Sequence, residues 1–160
     1  MNLPPLNHDT LFAVLLAGAA LYGAIGGSVR IRNLILSIYA GIVMSDTLTS
    51  LAAPYAKSLS IYQVSLILLA IPVLLFALPR HKGAKEHGSI LVFLLSGLVA
   101  GAFLVAAGLH VIPPSEAVKV AGDSIIATEL SAVYLWLILA MPLVALLPYM
   151  MRSRNSHQRH

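Results

Sequence analysis

Long apolar runs alternate with short polar breaks along the whole chain. The runs cover residues 11–29, 34–53, 59–78, 90–112 and 125–150. Each has room for a membrane-crossing helix, which takes about 20 residues. The pattern predicts an all-α integral membrane protein: one membrane domain, a bundle of about five transmembrane helices, and a basic tail at 151–160. Asp9 and Thr10 stand ahead of the first run and can cap it. Pro72, Pro142 and Pro148 lie inside runs and should bend their helices. Between the fourth and fifth runs, PPSEAVKVAGD has room for one short helical turn, started by proline and stopped by Gly122. Glu129 falls where the fifth helix enters the bilayer, and that start is either spanning or re-entrant.

Composition agrees with this division. Apolar residues make up 59% of the chain and charged residues 10%, with a mean hydropathy of +0.89. A soluble domain of this size needs far more polar surface. No cysteine is present, so disulfides, thiolate metal sites and cysteine nucleophiles are excluded. The net charge of +4 is explained by basic loops that fix orientation, and nucleic acid is not an expected partner. The first residues, MNLPPLNHDT, carry no Lys or Arg, so the first run reads as a retained crossing rather than a signal peptide.

Five crossings put Arg30, Arg32, Arg80, Lys82, Lys85, Arg152, Arg154 and Arg159 on one side, against Lys57 and Lys119 on the other. Short basic loops stay in the cytoplasm, so the N-terminus is expected outside and the C-terminus inside a bacterial inner (plasma) membrane. Asp9, Glu116, Asp123 and Glu129 then lie outside. Tyr55 and Tyr62 mark the outer interface and Tyr149 the inner one.

The candidate chemistry centres on SIYAGIVMSDTLTS, residues 37–50. Ser37, Gly41, Ser45 and Thr49 form a small-residue stripe on one helical face, and Asp46 sits beside it. Counted from residue 34, Asp46 lies about 18 Å into the bilayer, slightly outward of its middle. A carboxylate there must be paired, protonated or wet. Three readings stay open: a proton or cation site with Ser45 and Thr49, a hydrogen-bonded lock between helices, or a residue in a watery outer vestibule. His110 and Glu129 lie near the outer ends of their runs and could relay protons. Asp46, His110 and Glu129 have ligand types a metal accepts but no ligand spacing, so no metal or other cofactor is expected. No GxSxG, HExxH or Walker loop is present, and no catalytic residue is assigned. Gly23 with Gly27, and Gly97 with Gly101, form GxxxG faces suited to close helix approach, as does Gly41. Arg30, Arg32, Arg80 and Lys82 could meet anionic lipid head groups.

The run GAIGGSVRIRNLILSIYAGIV, the later glycine-rich helix GSILVFLLSGLVAGAFLVAAGL and the TELS segment before the last run resemble the colicin V production (CvpA) family of small bacterial inner-membrane proteins. That pattern often has an acid after its basic residues, where Asn33 and Leu34 stand here. The resemblance implies an envelope protein without an established catalytic activity, serving as a channel or as a partner in a larger complex. It carries over no functional residues. The expected function is accordingly a non-enzymatic subunit of a homo-oligomer or larger membrane complex in the cell envelope, packed against lipid and other membrane helices. The alternative is a small proton- or ion-coupled transporter or channel using Asp46. A third reading is a phage-type holin.

Overall fold

The computed structural model describes residues 7–52, 54–55, 59–77 and 89–156, with side chains for all of these except 77 and 147–156. Lys57, Arg80, Lys82, Lys85, Glu86 and Arg159 lie outside the described residues, and the side chains of Tyr149, Arg152 and Arg154 outside the described side chains. The described residues form helices α1 (His8–Ala52), α2 (Ile61–Ala77), α3 (Ile90–Val111), α4 (Pro114–Ala121), α5 (Ile125–Ala132) and α6 (Tyr134–Ser156), with no strand among them.

The apolar runs at 11–29 and 34–53 are joined in α1, which is broken at Gly27 (φ 67°, ψ −170°). The contacts of its two arms show that the chain reverses there. Along the first arm, Phe12 shares a cluster with Leu109, Ala19 meets Gly101, and Gly23 meets Gly97 and Phe93, so this arm is antiparallel to α3. Along the second arm, Tyr39 packs on Phe103 and Thr49 shares a cavity with His110, so this arm runs parallel to α3. A positive φ of this kind suits glycine, because a Cβ is disfavoured in the left-handed region. The turn therefore comes at Gly27 instead of the charged stretch 30–33. Arg30, Arg32 and Asn33 fall within the opening turns of the second arm.

Glycine also sets how closely the helices approach. A Cβ on Gly23 would lie 2.5 Å from the Phe93 carbonyl oxygen and 2.7 Å from the Gly97 Cα. A Cβ on Gly97 would lie 2.5 Å from the Ala19 carbonyl oxygen. Gly101 faces the Ala19 methyl in the same way, and Gly41 faces the Leu69 backbone of α2. The small-residue faces thus meet each other inside one chain. α3 is touched by all five other helices. Around it lie Ile31, Leu34, Ile35 and Ile38 of α1, Leu69 of α2, and Tyr134 and Met141 of α6, packed on Phe93, Ala100, Phe103, Ala106 and Ala107.

Large apolar side chains outside this core are widely exposed, among them Ile25, Leu36, Leu74, Leu135, Trp136 and Leu139. Among the described residues, α1 and α3 are long and apolar enough to cross a membrane, and the count is three if α5 and α6, bent by 73° at their break, form one passage. α2, at 17 residues, spans about 25 Å. At its start the Gln63 side chain accepts from the Ser60 N–H at 2.9 Å, one half of a capping box. The run at 125–150 is therefore interrupted at Val133: α5 lies at a steep angle to α6, and Glu129 sits on α5, ahead of the bend.

Pro142 explains a contact between α1 and α6. It has no N–H, so the Ile138 carbonyl four residues back loses its helical partner. The Tyr39 hydroxyl donates to that carbonyl instead. The 112–124 connector forms α4, two turns long. Pro114 opens it, and Gly122 closes it by donating its N–H to the Val118 carbonyl. Asp9, expected to cap its own helix, serves α5 instead. Its Oδ1 accepts from the Ser124 hydroxyl at 2.6 Å and from the Ile126 N–H at 3.4 Å. Ser124 Oγ in turn accepts from the Ala127 N–H at 3.1 Å, as an N-cap. The His8 ring meets the Val120 carbonyl at 3.2 Å. These bonds tie the start of the chain to the α4–α5 corner.

Gly97→Ala should destabilise the fold by about 1–3 kcal/mol, because backbone atoms cannot yield to the new methyl. Gly108→Ala, whose Cβ would meet only the Leu69 side chain at 4.0 Å, should be neutral or stabilising by up to about 1 kcal/mol. Unfolding midpoints in mild detergent compare the two, and equal midpoints would reject the tight crossing. Asp9 lies ahead of the apolar stretch that begins at Leu11. The Ser124 hydroxyl, then the N–H groups of α5, hold its pKa below the ordinary 3.8. Its contribution to the corner is therefore complete above about pH 4 and fades as the pH falls through the lowered value. Hydrogen exchange at Ile126 and Ala127 should accelerate only in that acid range, and at every pH in Asp9→Asn. Exchange indifferent to both would remove the latch.

Candidate functional site at the acidic end of the bundle

The reversal at Gly27 decides where the charged groups fall. Asp46 follows Ser28 by enough residues to lie about 27 Å along the second arm, at 1.5 Å per residue. That is close to the full thickness of a bilayer core, about 30 Å. Asp46 lies towards the end of the bundle opposite the Gly27 turn. The same end receives Asp9, Glu116, Asp123 and Glu129, while Arg30 and Arg32 stay by the turn. Among the described residues, Lys119 joins the acids and pairs with Glu116 at 2.7 Å.

At this end three helices meet around an open cavity of about 340 Å³, lined by Thr49 of α1, Ile61, Tyr62 and Ser65 of α2, and His110 to Pro114 at the close of α3. Thr49 and Ser65 face each other because the stripe Ser37–Gly41–Ser45–Thr49 packs along α2, with Gly41 against Leu69 one level below. Their hydroxyls are 3.0 Å apart. Thr49 also donates to the Ser45 carbonyl at 2.6 Å, and Ser65 approaches the Ile61 carbonyl at 3.1 Å. Two hydroxyl protons serve three contacts, so the shorter Thr49 bond fixes that proton and Ser65 divides its own between Thr49 and Ile61. Oxygen lone pairs remain to face the cavity.

His110 is exposed on one side and stacks on the buried Tyr134 on the other, with ring centroids 4.1 Å apart and planes 24° from parallel. Tyr134 is the first residue of α6, so the bend at Val133 seats this ring. Asp46 is exposed and lies one helical turn from Thr49. It makes no hydrogen bond or ion pair with the described residues. Joining of helices falls to its neighbours: Ser45 is buried at the interface and Thr49 bonds Ser65 across it.

The cavity brings Thr49 and His110 together and adds Ser65 and Tyr62, with Tyr134 stacked on His110 from outside its lining; Asp46 lies a helical turn from Thr49 and does not line it. Nor is Glu129 brought in; that side chain is exposed on α5 and lines no part of the cavity. No group of three His, Asp or Glu side chains that could hold a metal occurs among the described residues. The arrangement combines one titratable ring, one carboxylate and hydroxyl oxygens at the mouth of an apolar bundle. It can exchange protons with water or offer oxygens to a small cation. No protein-family model, curated protein or solved structure matches the chain.

The Thr49–Ser65 bond should show in a double-mutant cycle of Thr49→Val and Ser65→Ala. A coupling of about 0.6–1.7 kcal/mol is expected for a hydrogen bond between helices in a membrane. Additive effects of the two substitutions would mean that the hydroxyls do not bond across the interface.

Proposed function

We propose that this chain is a multi-pass, non-enzymatic membrane protein of the cell envelope, a small proton- or ion-coupled transporter or channel whose vestibule at the acidic end takes up protons or a small cation. The observation that carries this reading is the convergence of Thr49, Ser65 and His110 on one cavity, with Asp46 a helical turn away. Imidazole titrates near neutral pH, and hydroxyl and carboxylate oxygens suit hard cations.

Five crossings with the N-terminus outside are part of the proposal. The reversal at Gly27 supports counting the arms of α1 as two passages; this reading takes α3, the bent α5–α6 pair and the shorter apolar helix α2 as the other three. The separation of Arg30 and Arg32 from the acids supports placing the vestibule on the outer side of an inner membrane. Below the vestibule, Phe103, Ala106 and Ala107 are fully buried and close the way. Onward passage therefore requires a helix to move, and α2 and α6, whose ladders are interrupted by Pro72 and Pro142, are the elements suited to it. The likeness to the colicin V production family is compatible with such a channel. It is equally compatible with membership of a larger complex. The argument for a complex from GxxxG faces weakens, because Gly23, Gly97 and Gly101 serve contacts within the chain.

Reconstituted into liposomes with a pH-sensitive dye inside, the protein should pass protons or a monovalent cation when the outer solution is acidified or salted. Asp46→Asn and His110→Gln should each reduce that flux towards the level of empty vesicles while the size on native gels is unchanged. Wild-type flux no greater than that of empty vesicles overturns the proposal. Loss of a larger species in Asp46→Asn would favour the complex-subunit reading. Sudden collapse of membrane potential on induction would mark a lytic pore of the holin kind.

A further inference from the structure

Residues 134–141 of α6 are bounded at both ends by interruptions. At their start, α5 and α6 meet at Val133 with a bend of 73°. At their end stands Pro142, which has no N–H and leaves the Ile138 carbonyl without its helical donor. Prolines of this kind are where helices bend sharply. Two contacts, one helical turn apart, hold the segment to the rest of the bundle. Tyr134 stacks on His110, with ring centroids 4.1 Å apart. The Tyr39 hydroxyl, on the second arm of α1, donates to the Ile138 carbonyl. The same tyrosine packs its ring on Phe103, with centroids 5.1 Å apart. Phe103 is fully buried, about two turns along α3 from the His110 that lines the cavity. Tyr39 thus joins this segment of α6 to a ring that closes the bundle beneath the vestibule.

We propose that residues 134–141 form a hinged segment pivoting at Pro142, and that the hydrogen bond from Tyr39 to Ile138 is the catch that holds it. With the catch made, Tyr134 stays under His110 and Tyr39 stays against Phe103. A carbonyl released into lipid is costly, so the caught position is the resting one. The helix cannot reclaim that carbonyl by itself, because position 142 has no hydrogen to give. When the catch opens, the segment swings about Pro142, carries Tyr134 from beneath His110 and frees Tyr39 and Phe103 to turn. The movement therefore reaches the wall of the vestibule and the ring below it in one step. That opening admits a proton or cation rests on the vestibule reading; the hinge and its catch do not.

The chain has no cysteine, so spin labels on introduced cysteines report only the chosen positions. In liposomes, one distance is measured between Val43→Cys on the arm and Leu135→Cys on the segment. A second is measured between Leu95→Cys on α3 and Leu143→Cys, beyond the pivot; all four positions are exposed. Tyr39→Phe keeps the ring and removes only the donor. It should widen the first distance distribution and leave the second as in wild type. Adding Pro142→Ala should narrow the first again, because residue 142 then gives its N–H to Ile138. Tyr39→Phe should also lower the folded-to-unfolded ratio in mixed micelles by about threefold to fifteenfold, and by less in the Pro142→Ala background. A first distribution as narrow as wild type in Tyr39→Phe overturns the proposal. So does widening of both distributions, which marks general loosening, or widening that Pro142→Ala does not reverse. If Tyr39→Phe does not fold alone, recovery of folding by Pro142→Ala supports the catch, and no recovery overturns it. Proton flux into the same vesicles is read separately. Distances as expected with no flux in any variant would sink uptake at the vestibule and leave the hinge standing.

Discussion

The contact on which the rest of the structure depends is the backbone crossing of Gly23 and Gly97. In lipid, burying one aliphatic side chain against another gains little over leaving it against acyl chains, so helices associate through close packing and polar contacts. Glycine and alanine make such packing possible between the first arm of α1 and α3. Because the chain then reverses at Gly27, the second arm is delivered to a neighbouring side of the same helix. α3 becomes the shared core, and α2 and α6 are laid against what remains. Widening this crossing by a methyl group pushes directly on carbonyl oxygens and Cα atoms, which have no rotamer to retreat into.

A second constraint is polar satisfaction without water. Buried hydroxyls at Ser37, Ser45, Ser65, Ser96 and Ser124 sit within this apolar chain, and among the described residues no buried side-chain nitrogen or oxygen lacks a partner. Ser37 returns its proton to the Leu34 carbonyl of its own helix at 2.7 Å. Tyr39 goes further and repairs the defect that Pro142 makes in another helix. The tyrosine therefore has two structural roles, a ring against Phe103 and a hydroxyl for α6. Ser124 serves as the N-cap of α5 and as donor to Asp9, which makes the corner at the acidic end a product of side chains more than 110 positions apart in the chain.

Much of this was legible in the order of residues. Apolar length gives the helices, and Pro114 and Gly122 give α4 its limits. The spacing of Gly23, Gly97 and Gly101 marks close contacts. What the spacing does not carry is the partner of each glycine face: the same GxxxG suits a second chain or another helix of this one, and only the fold chooses. The charged stretch 30–33 suggested the first turn, because charge avoids lipid. The turn lies at Gly27 because conformational freedom, and not polarity, limits a reversal so tight. With the helix beginning again at once, Asp46 falls towards the end of the bundle opposite the turn. Ser65 and Tyr134 were not singled out because each is ordinary on its own helix. Their place beside Thr49 and His110 arises from packing between segments far apart in sequence.

The molecule that results is polarised along its helices. One end presents acids and a cavity between α1, α2 and α3 lined by a histidine and hydroxyls; the other presents Arg32 at one end of an apolar groove between α1 and α6. Both features are built on the second arm of α1, with Thr49 and Arg32 at its two ends. Tyr39, near its middle, is bonded to α6 at the level where Pro142 weakens that helix. A shift of α6 against α1 would therefore break or remake the Tyr39 bond, reshape the groove beside Arg32, and move Tyr134 under His110 in one step. α6 meets the arm through Tyr39 and through the groove residues on its Arg32 side, and it meets α3 through Tyr134 beneath His110.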